Sequence, residues 1–211
     1  MSNYGNYYGV PADKSYESGV VPVWLEVKER KVAGGTVDLT GVAAGTLIPL
    51  GIPVSLKTMG GEAKFLETYT VEAPVAAASG TSLKIKPLNG IVPKAGMIVG
   101  KCDADGKAAK AVALSGTPSV SNGVYTFTIT AGALGELSKG DKLYIVSEAG
   151  DNKVAVLPDG LSWRQIHVEA EGGKGTVAVV TKGQILGDRI SAVPDFYKAA
   201  MPGITFEYET A

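Results

Sequence analysis

Along the chain, apolar positions recur every second residue in short runs, the spacing of strands half-buried against a core rather than that of amphipathic helices. Leu83 and Ile85 alternate with Lys84 and Lys86, and Tyr125, Phe127 and Ile129 alternate with Thr126, Thr128 and Thr130. Earlier, Val21, Val23, Leu25 and Val27 alternate with Pro22, Trp24, Glu26 and Lys28, which predicts a half-buried first strand. Later, Ile166 and Val168 alternate with His167 and Glu169, and TVAVV (176–180) is a nearly continuous apolar run suited to a strand covered on both faces. Ile204, Phe206 and Tyr208 alternate with Thr205, Glu207 and Glu209 in a last strand. Only PDFYKAAMPG (194–203) reads as a helix, with Pro194 in its first turn and Pro202-Gly203 as its stop. The pattern predicts an all-β fold with one short C-terminal helix, made of small barrel or sandwich modules.

Turn chemistry divides the pattern further. Asn122-Gly123 between SVS and VYTFTIT predicts a tight hairpin, because both central residues of such a turn need positive φ. From 31 to 56, short apolar pieces are interrupted by Gly34, Gly35, Gly41, Gly45 and Gly51, which predicts tight reversals. Pro49 and Pro53 remove ladder donors there and predict an edge or repeated bends. From about 71 to 149 the strands are cleaner, and SLKIK (82–86) with VPKAGMIVG (92–100) resembles TFTIT (126–130) with LSKGDKLYIV (137–146). Each copy runs strand, loop, lysine-glycine turn, strand. The expected organisation is an extended arm over 1–20, a β domain from 21–70 plus 150–211, and an inserted β module over 71–149.

Composition narrows the function classes. Charged residues make up 19% of the chain and apolar ones 45%, so part of the surface is expected to be meant for contact. Net charge is −1 with no visible basic stripe, which argues against nucleic acid as a partner. No window approaches the length of apolar sequence that spans a bilayer, and the first residues lack the apolar core of a signal peptide. Synthesis in the cytoplasm, with no membrane partner, is the expectation. One cysteine, Cys102, excludes an internal disulfide framework.

The residue types needed for catalysis are sparse. His167 is the sole histidine and has no nucleophile motif around it. Asp103 and Asp105 in CDADG, and Glu169 and Glu171, are carboxylate pairs beside glycines, so turns explain them better than glycoside chemistry. CDADG lacks the later oxygen ligands of a calcium loop, and GGKGT (172–176) lacks the spacing of a phosphate loop. Cys102 reads as a small buried hydrophobe, and Trp24 and Trp163 as core residues in strands. The sequence therefore predicts no enzyme, no catalytic residue, no metal site and no cofactor. Four tyrosines, Tyr4, Tyr7, Tyr8 and Tyr16, stand among Asn, Gly and Ser in the arm and would give rigid contact area at small entropic cost.

Two stretches carry a family resemblance. GVAAGTLIPLGIPVSL (41–56) resembles the Gly-x-Leu-Ile-Pro-x-Gly-x-Pro-Val segment of tailed-phage head decoration and head fibre proteins. GTVAVVTKGQILGDRI with FYKAAMPGITF, within 175–206, resembles the closing part of such proteins. The resemblance implies a β-rich, commonly trimeric subunit on the capsid exterior of a virion. Its partners would be the major capsid protein and its own copies, and its capsid-binding arm would present Tyr4, Tyr7 and Tyr8. Region 71–149 exceeds what a minimal decoration protein needs and would project outward, leaving a cementing subunit and a fibre base both open. The competing expectation is a carbohydrate-binding or adhesive β module that meets a host-surface glycan through Trp24, Trp163 or the tyrosines.

Overall fold

The structure, a computed structural model, describes residues 23–56, 60–169 and 173–209, apart from the side chains of 32 and 33. Strands account for 51% of it, in several antiparallel sheets with a single short helix, as the alternation predicts.

One sheet contains β1 (Trp24–Asp38), β3 (Pro53–Leu56), β4 (Ala63–Phe65), β13 (Gly160–Ser162), β15 (Lys174–Leu186) and β16 (Ile204–Glu207). Its order is β1-β15-β13-β3-β4, with β16 added parallel to β15. The two outer strands meet again: the Thr36 N–H donates to the Gly61 carbonyl at 2.8 Å, and the Gly60 N–H donates to the Gly34 carbonyl at 2.8 Å. This closes a small barrel and removes most of the edge that an open sheet would expose. Val37, Ile48, Ile52, Val54, Val177 and Val179 fill its interior. Each fully buried aliphatic side chain contributes about 1.5–3 kcal/mol by leaving water. A two-stranded ribbon of β2 (Leu47–Ile48) and β14 (Ile166–His167) supplies Ile48 to the same core.

The second sheet uses the middle of the chain: β5 (Tyr69–Val71), β6 (Ser82–Pro87), β7 (Ile98–Cys102), β8 (Lys107–Ala113), β9 (Ser115–Ser121), β10 (Val124–Thr128), β11 (Lys142–Ile145) and β12 (Gly150–Val154). Its order is β12-β8-β7-β11-β5-β6-β10-β9. The two similar sequence copies lie against each other, β6 pairing with β10 and β7 with β11. Their lysine-glycine turns also correspond, with Gly96 and Gly140 at φ +85° and +93°. Leu83, Ile85, Val99, Phe127 and Leu143 face a separate core, while Lys84, Lys86 and Lys142 point to solvent.

A third apolar cluster joins the barrel to this sheet. Trp24, Leu161, Val180 and Ile185 come from the barrel, Ile145 from β11, and Tyr197 from the helix α1 (Asp195–Ala200). The helix is found where the sequence predicts it, but Pro194 stands just before it as the extended N-cap and not within its first turn. Phe196 and Tyr197 meet Tyr144 edge-to-face, with ring centroids 5.2 and 6.0 Å apart. The helix thus covers the outer face of the second sheet at β11.

Three local readings change. Trp24 is buried and Leu25 is 42% exposed, while Val23 and Val27 stay partly buried against the same core, so the predicted alternation is broken at Trp24–Leu25, where β1 shifts register against β15. Trp24 takes the core position, as its reading as a core residue predicts, and it is Leu25 that turns outward. Gly34-Gly35 is not a reversal: β1 runs through it, with a register shift between Lys31 and Gly35 where it crosses β15. Pro53 heads β3, which has neighbours on both sides, and is accommodated as the first residue of that strand.

Candidate functional site

The candidate arm residues Tyr4, Tyr7 and Tyr8 lie outside the described residues, as do Glu171 and Gly172. The remaining predicted residues do not converge. His167 is exposed on β14, opposite Leu47. Asp103 organises the β7–β8 turn by accepting the Asp105 N–H at 3.0 Å and the Lys107 N–H at 2.8 Å. Cys102 is half-buried, and burial, assisted by Asp103, pushes its thiol up to about 11, which keeps it protonated and unreactive at neutral pH. Among the described residues, no group of three His, Cys, Asp or Glu is placed to hold a metal ion.

Neither tryptophan offers a sugar platform. The Trp24 indole N–H donates to the Trp163 carbonyl at 3.1 Å within the core. Arg30 and Arg164 lie over the Trp163 ring with Cζ 3.7 and 4.0 Å from its centroid. Two guanidiniums that close cannot share one face of an indole, so they stack on opposite faces and leave none for a pyranose.

The most concentrated polar site is one that the strand pattern did not reveal. Glu67, fully buried, sits in the link between β4 and β5. Its Oε1 accepts the Thr68 N–H at 2.9 Å, the Asn89 N–H at 3.1 Å and the Asn89 side-chain amide at 3.0 Å. Its Oε2 accepts the Ile91 N–H at 3.1 Å. The Ser191 hydroxyl, from the segment that leads into α1, donates to the Asn89 side-chain oxygen. Two pieces of chain therefore meet on the carboxyl group, and a third, at Ser191, is tied to it through Asn89. Burial raises that carboxyl to about 7, and the backbone and side-chain hydrogen bonds oppose the rise. A signal existed in the sequence: Glu67 is a lone charge in the otherwise uncharged run Phe65–Val71, a place where a carboxylate needs dedicated donors.

Ile91, held by Glu67, also lines a cleft of about 600 Å³ between the barrel and the second sheet, with Phe65, Met97, Ile98, Val146 and Val156. Its rim carries Asp38 and Lys94, whose Nζ and Oδ2 are 2.7 Å apart. On the far face of the second sheet, Lys86, Thr70 and Lys142 form a row across β6, β5 and β11. Lys142 donates to the Thr70 hydroxyl at 2.6 Å.

No protein family, curated protein or solved structure matches the chain. The function is therefore read from the geometry and the sequence alone.

Proposed function

We propose that the protein is a virion structural subunit that binds the outer surface of a phage capsid, as a decoration or head-fibre protein, and acts as a homotrimer. The observation that carries this reading is the distribution of the chain between two bodies. Strands from both sides of the middle region build one closed barrel, and residues 69–154 build a separate sheet attached to it. Such a plan suits a base that stays on a shell and a part that projects from it.

The barrel is also where the arm begins. Val23 is fixed at its rim by the Leu186 N–H, which donates to the Val23 carbonyl at 2.8 Å. Residues preceding it, including Tyr4, Tyr7 and Tyr8, would then add contact area and strand pairing on neighbouring capsid subunits. Neither step requires chemistry.

The test is co-sedimentation of full-length protein and of a variant lacking residues 2–18 with expanded phage heads. Full-length protein is expected to pellet with the heads as a trimer, and the truncated variant to remain in the supernatant. Equal pelleting by both would remove the arm from the mechanism. Failure of the full-length protein to pellet, together with specific signals on a glycan array, would favour the adhesive module instead.

A further inference from the structure

We propose that Asn122 is a self-modifying residue, which loses its side-chain amide to attack by the Gly123 nitrogen and becomes aspartate or isoaspartate, while Asn89 in the same sequence context is kept from reacting. The chain has five asparagines, and only these two precede a glycine. A following glycine matters because it sets no side chain between its own nitrogen and the asparagine Cγ. The two Asn-Gly pairs are therefore chemically alike, and the fold alone sets them apart.

Asn122 sits at the tip of the β9–β10 hairpin, exposed together with Ser121 and Gly123. Among the described residues, its carboxamide makes no hydrogen bond and the Gly123 N–H donates to no acceptor. Beyond its chain neighbours, no atom lies within 4 Å of where a Cβ at Gly123 would be, so the carboxamide can swing over the turn without displacing another part of the protein. The backbone rearrangement this needs is confined to two residues that carry no core side chain. Asn89 is the opposite case, at 7% exposed. Its Nδ2 donates to Glu67 Oε1 at 3.0 Å, and its Oδ1 accepts the Ser191 hydroxyl. Turning its Cγ towards the Gly90 nitrogen breaks both bonds and leaves buried polar groups unpaired, a far larger cost than exchanging a partner for water.

The step needs only hydroxide and water. Hydroxide takes the Gly123 amide proton, the nitrogen bonds to Asn122 Cγ, and the Cγ–Nδ2 bond breaks as ammonia leaves. Water then opens the cyclic imide. Cleavage of the new Cγ–N bond leaves aspartate; cleavage of the original peptide C–N bond leaves isoaspartate, whose main chain runs through Cβ and Cγ and is one atom longer. Either product puts the first charge into residues 111–135, which hold none. The longer turn also upsets the pairing of Ser121 with Val124. Because β10 is the only strand paired with β9, and β9 gives no side chain to the core of this sheet, β9 loosens without the rest.

The full-length protein is incubated at pH 8, folded and in guanidinium chloride, and peptide mapping by mass spectrometry follows the loss of ammonia at Asn122 and Asn89. In denaturant the two sites should convert at similar rates, and in the folded protein Asn122 should convert about tenfold faster than Asn89 or more. A folded-state rate at Asn122 no greater than at Asn89, or no conversion there while the denatured chain converts, would overturn the proposal. Gly123→Ala, which the open space at the turn allows to fold, should slow the step at Asn122 about tenfold by placing a methyl group beside the attacking nitrogen. An undiminished rate in that variant would show that the ammonia is lost without attack by the residue 123 nitrogen, and would equally overturn it. In the isoaspartate fraction, amide exchange should rise in β9 and stay unchanged in β15; unchanged exchange in β9 would refute the loosening.

Discussion

Gly34 shows how much can depend on the absence of one carbon. Its φ is +43°, and a Cβ built there would overlap the Val177 carbonyl of the adjacent strand. Gly34→Ala should therefore combine backbone strain with a collision against rigid backbone. The expected loss is about 2–4 kcal/mol, read as a shifted urea midpoint with an unchanged slope. Glycine's meaning at this position was not legible in the sequence, because the same residue serves a reversal and a close strand crossing. Trp24 was legible as a core residue; what the sequence did not show is that Leu25 beside it turns outward, where β1 shifts register against β15.

The hairpin joining β9 to β10 is the opposite case at the level of elements. Asn122 and Gly123 have φ of +50° and +73°, as the dipeptide requires, and nothing lies within 4 Å of a Cβ at Gly123. Gly123→Ala should thus cost only about 1 kcal/mol, from the backbone alone. The effect should stay local, with faster amide exchange in β9 and none in β15; a loss as large as that of Gly34→Ala would show that the turn carries tertiary contacts. Elements with a local cause were the readable ones: the Asn-Gly turn, the Lys84–Lys86 alternation in β6, and the proline-bounded α1. The unread parts depend on pairing between distant segments. Only the SVS end of β9 was readable, through its hairpin turn; nothing local distinguishes its first residues, exposed at a sheet edge, from a loop, and nothing announces that β1 and β4 close on each other through Thr36 and Gly61. The polar site behaves alike, since Glu67, Asn89 and Ser191 are separated by more than a hundred residues in all and become a unit only after both sheets have formed.

For the molecule as a whole, two carboxyl groups at the same junction should give stability slopes of opposite sign. The Asp38 carboxyl is held well below the usual carboxylate range by its bond to Lys94, then by the hydroxyl and amide of Thr40. Its contribution is present above the ordinary aspartate value and lost as pH falls below it. With the Asp38 side chain 60% exposed, that contribution is small, about 0–1 kcal/mol. Glu67 acts in the other direction between about 4.5 and 7. Calorimetry from pH 3 to 8 should accordingly find the highest melting temperature in weak acid, near pH 4–5, and Lys94→Ala should flatten only the acid limb. A melting temperature that climbs steadily to pH 7 would contradict this balance. The route of the chain has a further consequence. It leaves the barrel after β4 and returns at β13, and both strands pair with β3, so exit and return lie about 10 Å apart. A segment whose two ends are so close can be exchanged for another of similar end spacing without redrawing the barrel. The second sheet thus occupies the place of interchangeable cargo: recombination could re-equip the same foundation with a different outer part, provided the newcomer supplies a partner for Glu67 and a cover for the apolar face around Tyr197.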